Sequence, residues 1–157
     1  MRSALRTGVA RLLALLLLGM FLAAQPVQAD SARMLKASIA AGKPTVLIVS
    51  RTPTAADRAS EAYADFAGYL NDFAAAQRAT LQFVTIKPAA LKAIFAARAP
   101  IRQPFATVFI RNARSAVYYD GMIHDPIVYQ AAAAYLAGRD SPDAASLGLK
   151  PFGFKLR

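Results

Sequence analysis

The feature that most constrains the fold of this chain is the run Thr45-Val46-Leu47-Ile48-Val49-Ser50, which is apolar and β-branched without polar alternation. A strand with one face in solvent alternates apolar and polar residues, so an unbroken run is typical of a strand buried on both faces, as in parallel sheets. A helical pattern follows over 54–76, in which large apolar side chains recur at spacings of three and four. Thr54 is a natural cap for that helix, with Asp57 as its acidic partner three residues on.

The rest of the chain continues this alternation of helices and strands. The other predicted elements, in chain order, are a helix over 31–41, a strand over 80–86, a helix over 88–98, strands over 105–110 and 116–119, and a helix over 126–137. The first two strands are joined through a helix and should be parallel with a right-handed crossover. The last two should form an antiparallel hairpin. This order predicts an α/β three-layer sandwich around a mixed four-stranded sheet.

The first 29 residues have the three parts of a secretory signal peptide. Arg2, Arg6 and Arg11 precede an apolar run of 13 residues, Leu12 to Ala24, and small side chains end the segment. The run is shorter than the roughly 20 residues that cross a bilayer. We predict cleavage after Ala29 and a periplasmic or secreted location, with an uncleaved membrane anchor as the alternative. The predicted organisation is a signal over 1–29, one domain over 30–138 and a tail over 139–157.

Composition limits the chemistry and indicates a class of partner. The chain has no cysteine, so neither disulfides nor thiol chemistry is open to it in an oxidising compartment. Without residues 1–29 it carries 16 basic against 9 acidic residues, a net charge of +7. Such a basic exported protein can bind anionic lipid, a cell-wall polymer, nucleic acid in transit or an acidic partner. The alternative is that the excess charge only keeps the protein soluble.

The order of elements resembles the thioredoxin fold over roughly residues 31–138, most clearly over 101–112, Ile101-Arg102-Gln103-Pro104-Phe105-Ala106-Thr107-Val108-Phe109-Ile110-Arg111-Asn112. In that superfamily a proline held cis opens the third strand beside the active site, and Pro104 stands at the matching position. Gly121 also stands where the family commonly has glycine. The family's paired cysteines fall within 50–57, where this chain has no thiol. Because hydroxyls cannot replace thiolates, the resemblance implies a redox-inactive member. The Tyr119-Asp120-Gly121 turn also resembles periplasmic thioredoxin-like assembly proteins of conjugative or type IV secretion systems.

We expect a binding site at one end of the sheet. Ligands of open α/β sheets collect beyond the carboxyl ends of the strands, and a helix N-terminus adds partial positive charge there. An extended acidic peptide or a carboxylate would suit such a site, and a surface without a ligand is the alternative. The candidate binding residues are Arg51, Thr52, Pro53, Thr54, Arg102, Gln103 and Pro104.

The sequence carries no diagnostic catalytic motif. It lacks both the Gly-x-Ser-x-Gly elbow of serine hydrolases and a glycine-rich phosphate loop. His124 is the only histidine, and alone it makes a poor metal site. We therefore expect no catalytic residue, no metal and no cofactor, and keep an enzyme using His124 with nearby carboxylates as an alternative.

The tail over 147–157 alternates five large apolar side chains with three cations and two glycines. It could add a strand to a partner, lie on an anionic membrane, or fold back over its own domain.

The leading hypothesis is an exported, non-catalytic thioredoxin-like protein that binds another envelope protein or an extended peptide, as part of a secretion or assembly machine. The alternative is a basic protein that binds a membrane surface or a polymer, and no nucleic-acid partner is expected.

Overall fold

The computed structural model describes residues 29–95, 101–139 and 143–156, and it is an α/β domain built on a five-stranded mixed sheet. Residues 1–28 of the signal predicted over 1–29, and residues 96–98 of the helix predicted over 88–98, lie outside the described residues. A short 3₁₀ turn, Pro88–Ala90, leads into the helix Leu91–Ile94. The elements are α1 (Ala29–Ala40), β1 (Thr45–Ser50), α2 (Ala55–Ala59), α3 (Glu61–Gln77), β2 (Gln82–Ile86), α4 (Leu91–Ile94), β3 (Phe105–Asn112), β4 (Ser115–Asp120), α5 (Pro126–Leu136) and β5 (Lys150–Pro151).

The sheet has the strand order β2-β1-β3-β4-β5. β1 and β2 are parallel, and β3 runs antiparallel to both β1 and β4, so the predicted parallel pair and hairpin are confirmed. The prediction of four strands is wrong by one, because the tail supplies β5 along the outer edge of β4. Leu149 lies in the apolar cluster on one face of the sheet and Phe152 in the cluster on the other. Burial of these two side chains therefore holds the segment between them against β4.

Helices cover the sheet on both faces, as the buried run predicts. All six residues of β1 are buried, and they alternate between two apolar clusters. Leu47 and Val49 point into a cluster closed by α1, α4 and the tail. Val46 and Ile48 point into a cluster closed by α3 and α5. Fully burying each such side chain contributes about 1.5–3 kcal/mol, so β1 is the centre of both cores.

Two of the predicted helices are interrupted or end earlier in the structure than the sequence pattern indicates. The helix predicted over 54–76 is divided at Ser60, whose backbone is extended (φ −84°, ψ 141°). Its N–H donates to the Asp57 carbonyl at 3.0 Å, and its hydroxyl accepts from the Tyr63 N–H at 3.2 Å. Ser60 therefore closes α2 and caps α3. α4 ends at Ile94 because Phe95 is extended and bridges to Leu156.

Within the described parts of the chain, none of the helices has the length and apolarity needed to cross a bilayer.

Candidate functional site

One edge of the sheet collects four loops, which we call the loop edge: residues 51–54, Lys87, residues 101–104 and residues 121–125. The registers explain this, because Ser50 at the end of β1 pairs with Phe105, and Ala106 pairs with Asp120 at the end of β4. All seven predicted binding residues belong to two of these loops. The Arg51 N–H donates to the Pro104 carbonyl at 3.0 Å. The two halves of the predicted set therefore lie side by side.

The charge of Arg51 is satisfied inside the loop edge. Its guanidinium donates to both carboxylate oxygens of Asp57, at 2.5 and 2.9 Å, and lies over the Phe105 ring, 5.1 Å from the ring centre. The same carboxylate accepts from the Thr54 N–H and hydroxyl, each at 2.7 Å, in the expected capping box. The hydrogen bonds from Arg51 and then Thr54 hold the pKa of Asp57 far below its ordinary value of 3.8. The helix N-terminus predicted to attract an anion is thus occupied by the chain's own Asp57.

Asp120 fixes the second loop. Its carboxylate accepts from the Arg102 N–H at 3.2 Å and from the Gln103 N–H at 3.0 Å. The side chains of residues 102–104 remain exposed. No peptide bond among the described residues is cis, so the bond before Pro104 is trans where the family resemblance implies cis. Since its N–H groups are bonded to Asp120, this loop offers a ligand its side chains rather than its backbone donors.

Lys87 is a site residue that the sequence reasoning missed. It directly follows β2, and its ammonium donates to the Thr52 hydroxyl at 2.5 Å. A lysine immediately after a strand that should run parallel to β1 was the available signal, because such strands end at the same edge. The ion pair between Arg51 and Asp57 is the only one among the described residues. At the loop edge, Lys87 and Arg102 are therefore cations without a carboxylate partner in the described part of the chain.

His124 is exposed at the end of the loop edge. Its Nδ1 lies 3.0 Å from the Met122 carbonyl oxygen. Both nearby carboxylates are engaged with backbone N–H groups: Asp125 caps α5 by accepting from Ile127 at 2.9 Å, and Asp120 holds the loop before β3. Across residues 29–95, 101–139 and 143–156, no group of three or more metal-ligating side chains is found.

The tail does not present its apolar side chains to solvent. Leu149 and Phe152 are buried, and Phe154 and Leu156 pack against the cluster under α1 and α4. Of the three outcomes left open for the tail, residues 143–156 therefore fold back over their own domain. Its outward groups are Lys150 and Lys155, both exposed.

Two buried hydroxyls lie in the interior, away from these loops. Among the described residues, neither Thr107 Oγ1 nor the Tyr129 hydroxyl has a hydrogen-bond partner. Burial raises the pKa of Tyr129 well above its ordinary value of 10.0. The Tyr129 ring stacks near Phe73, with 5.0 Å between ring centres. Tyr129, which belongs to α5, therefore contributes apolar packing between that helix and the sheet.

The chain matches no protein-family model, no curated protein and no solved structure. Function therefore has to be argued from the residues themselves. The fold and the loop edge define an α/β protein with an ordered surface of loops and two cations directed to solvent.

Proposed function

We propose that this chain is an exported, redox-inactive, thioredoxin-like binding protein whose loop edge holds an extended acidic segment of another envelope protein. The observation that carries the proposal is the bonding of the loops to one another. Arg51 joins its loop to Pro104, and Asp120 fixes the backbone before β3. Lys87 and Arg102 remain for a ligand on this preorganised surface, so little ordering entropy is lost on binding.

The thioredoxin-like part of the proposal is supported by chain order. A parallel pair joined through a helix, a third strand antiparallel to the first, and helices on both faces agree with the arrangement that the resemblance implies. The trans bond before Pro104 and the fifth strand depart from it. Redox chemistry through thiols is impossible because the chain has no cysteine.

The ligand class follows from the two cations. A guanidinium such as that of Arg102 binds a carboxylate through two parallel N–H donors, whereas the Lys87 ammonium acts as a compact point charge. Lys87 follows β2 and Arg102 precedes β3, the two strands that flank β1. The ends of these two strands are two strand spacings apart, or about 10 Å. An extended peptide with two acidic residues can span that distance. Exposed ion pairs contribute only about 0.2–1 kcal/mol each, so further contacts must come from the partner's surface.

The cellular setting is part of the same proposal. The predicted signal peptide directs the chain to the periplasm or outside the cell, where a cysteine-free binding domain is indifferent to the oxidising environment. A non-catalytic adaptor of this kind suits a secretion or assembly machine, in which domains position other proteins.

To test this, the protein, expressed as the full chain, is titrated with an extended decapeptide that carries two glutamates. The measurement is the change in the amide chemical shifts of the protein. Shifts should concentrate in residues 51–54, 87 and 102–104, and a matched peptide with glutamines should bind several-fold more weakly. The double variant Lys87→Gln and Arg102→Gln should bind the glutamate peptide about two- to thirtyfold more weakly, which corresponds to the loss of two exposed ion pairs of about 0.2–1 kcal/mol each. Arg78→Gln with Arg114→Gln, exposed residues beyond the opposite end of the sheet, is the control with the same change in charge. Equal losses in the two double variants, or no shifts at the loop edge, would overturn the proposal.

A further inference from the structure

One face of the domain is strongly basic. It consists of α1, α4 and tail residues 150–156, which together close a single apolar cluster. These segments are neighbours, because the Phe95 ring, just after α4, lies 5.3 Å from that of Phe154 in the tail, and α1 contacts α4. Their only acid is Asp30. Their cations are Arg33, Lys36, Lys92, Lys150 and Lys155. We call this surface the basic face.

The opposite face has the reverse charge. α3 carries no cation and three acids, Glu61, Asp65 and Asp72. α5 has no charged residue. The positive charge of the chain is therefore not spread evenly, and the two faces of the sheet have opposite signs.

The basic face also presents an apolar side chain. α1 buries Ala32, Leu35 and Ile39 against the sheet. Its outer side carries Arg33, the small Ala37, and Met34, which is 73 % exposed. An apolar residue flanked by cations on the outer side of a helix is the pattern of interfacial helices, which combine shallow apolar insertion with attraction to anionic lipid.

We propose that the basic face binds the surface of an anionic lipid bilayer. This proposal is independent of the loop edge and of its peptide ligand. The cations supply the attraction, since none of the five forms an ion pair with a side chain of residues 32–95, 101–139 or 143–156, and Met34 supplies the apolar contact. The tail contributes Lys150 and Lys155, while its aromatic side chains hold the face together from beneath.

A single-stranded nucleic acid fits this face less well. Such ligands stack their bases on exposed aromatic rings. The described aromatic residues of this face are Phe95 and Phe152, which are buried, and Phe154, which is half-buried against them. Binding to an anionic bilayer requires only cations and shallowly inserted apolar groups, and the basic face has both.

The first experiment measures co-sedimentation of the protein, expressed as the full chain, with phosphatidylcholine vesicles that contain or lack phosphatidylglycerol. Binding should require the anionic lipid and fall as salt rises, because exposed charges are screened within about 8 Å at physiological ionic strength. The triple variant Arg33→Gln, Lys92→Gln and Lys155→Gln should weaken binding by roughly fivefold for each cation. The matched control is Arg78→Gln, Arg114→Gln and Arg139→Gln, which removes three exposed cations elsewhere. Equal losses in the two triple variants would mean that net charge alone acts, and would overturn the proposal.

The second experiment reports the depth of contact. The chain has no tryptophan, so Met34→Trp introduces a single fluorescent reporter on the basic face. Its emission should shift to the blue on anionic vesicles. Ile127→Trp, at a 52 % exposed position on the opposite face, should show no shift. A blue shift in both variants, or in neither, would contradict the assignment of this face.

A polyanion separates the bilayer from a nucleic acid. An oligonucleotide should bind the wild type more weakly than the anionic vesicles do and leave the emission of Met34→Trp unchanged. Tighter binding to the oligonucleotide would replace the bilayer as the partner. The loop-edge variant Lys87→Gln with Arg102→Gln should keep full vesicle binding, so this proposal and the peptide site succeed or fail separately.

Discussion

The loop edge and the basic face are both rich in cations, but they are held together differently. At the loop edge, polar groups bond to each other: Arg51 to Asp57, Lys87 to Thr52, and Asp120 to the backbone before β3. The basic face is instead stabilised by apolar side chains buried beneath its surface. The cations above them have no carboxylate partner among the side chains of residues 32–95, 101–139 and 143–156.

This difference shows that a count of cations does not locate a binding surface. Arg51 looked like the obvious anion ligand in the sequence, yet its charge orders a loop. The sequence left three roles open for the tail, and the fold leaves Lys150 and Lys155 in solvent on a face with a single acid. A cation is available to a partner only where the chain gives it no carboxylate of its own.

The largest expected loss of stability follows from removing a buried aromatic side chain beneath the basic face. Phe152 is buried between Tyr118 and Phe95, with ring centres 5.8 and 5.3 Å away. Phe152→Ala should lower the free energy of unfolding by about 3–5 kcal/mol, the cost of such a cavity. Urea unfolding measures this, and amide exchange should rise first over 150–156. Phe154→Ala, at a half-buried position, should cost less. Equal losses in the free energy of unfolding of the two variants would contradict the expectation that the more buried ring contributes more.

A smaller effect is expected where a polar bond is removed from the loop edge. Asp120→Asn weakens the acceptor of two backbone N–H bonds on a half-exposed residue, so the free energy of unfolding should fall by about 1–2 kcal/mol. Amide exchange at Arg102 and Gln103 should accelerate, while the tail stays protected. Asp65→Asn, an exposed position on α3, is the control and should change neither. If Asp120→Asn cost more than Phe152→Ala, the distinction between the two regions would be broken.

The pH dependence of the loop edge should come from Asp57. Its pKa in the folded protein is lowered below 3.8, so its stabilising contribution is present above pH 3.8 and is lost as the pH falls through that value toward the folded pKa. At neutral pH, Asp57→Asn should be less stable than wild type, because it loses the ion pair with Arg51 and weakens the capping box. The gap between Asp57→Asn and wild type should close in acid. A constant gap from neutral pH to strong acid would show that the ion pair contributes nothing.

The smallest effect should come from a polar group that has no partner. Tyr129→Phe removes a buried hydroxyl without a hydrogen bond, so stability should stay level or rise by less than about 1 kcal/mol. The raised pKa of Tyr129 makes wild-type stability fall above pH 10, where the unfolded tyrosine ionises and the folded one does not. Tyr129→Phe should reduce that fall. A clear loss of stability at neutral pH would reveal a partner for the hydroxyl.

Much of the fold was predictable from local patterns. The bounds of β1 agree with those read from its apolar run, and the Asp125-Pro126 start of α5 and the Thr54 capping box were found from caps alone. The break at Ser60 was missed because the apolar periodicity continues across it. The candidate site was predictable only in part. Two of its four loops, residues 51–54 and 102–104, were expected to lie together and do so. The hydrogen bonds of Arg51 and Asp120, which occupy donors of these loops, were not expected.

The sequence by itself determined the order of helices and strands, the burial of β1 and the absence of thiol chemistry, because periodicity, caps and composition act within a few residues. Only the tertiary structure decided which cation finds a carboxylate, that the tail returns to pair with β4, and that positive charge gathers on one face of the sheet. Those outcomes depend on contacts between residues far apart in the chain, which form only when the apolar clusters on both faces close.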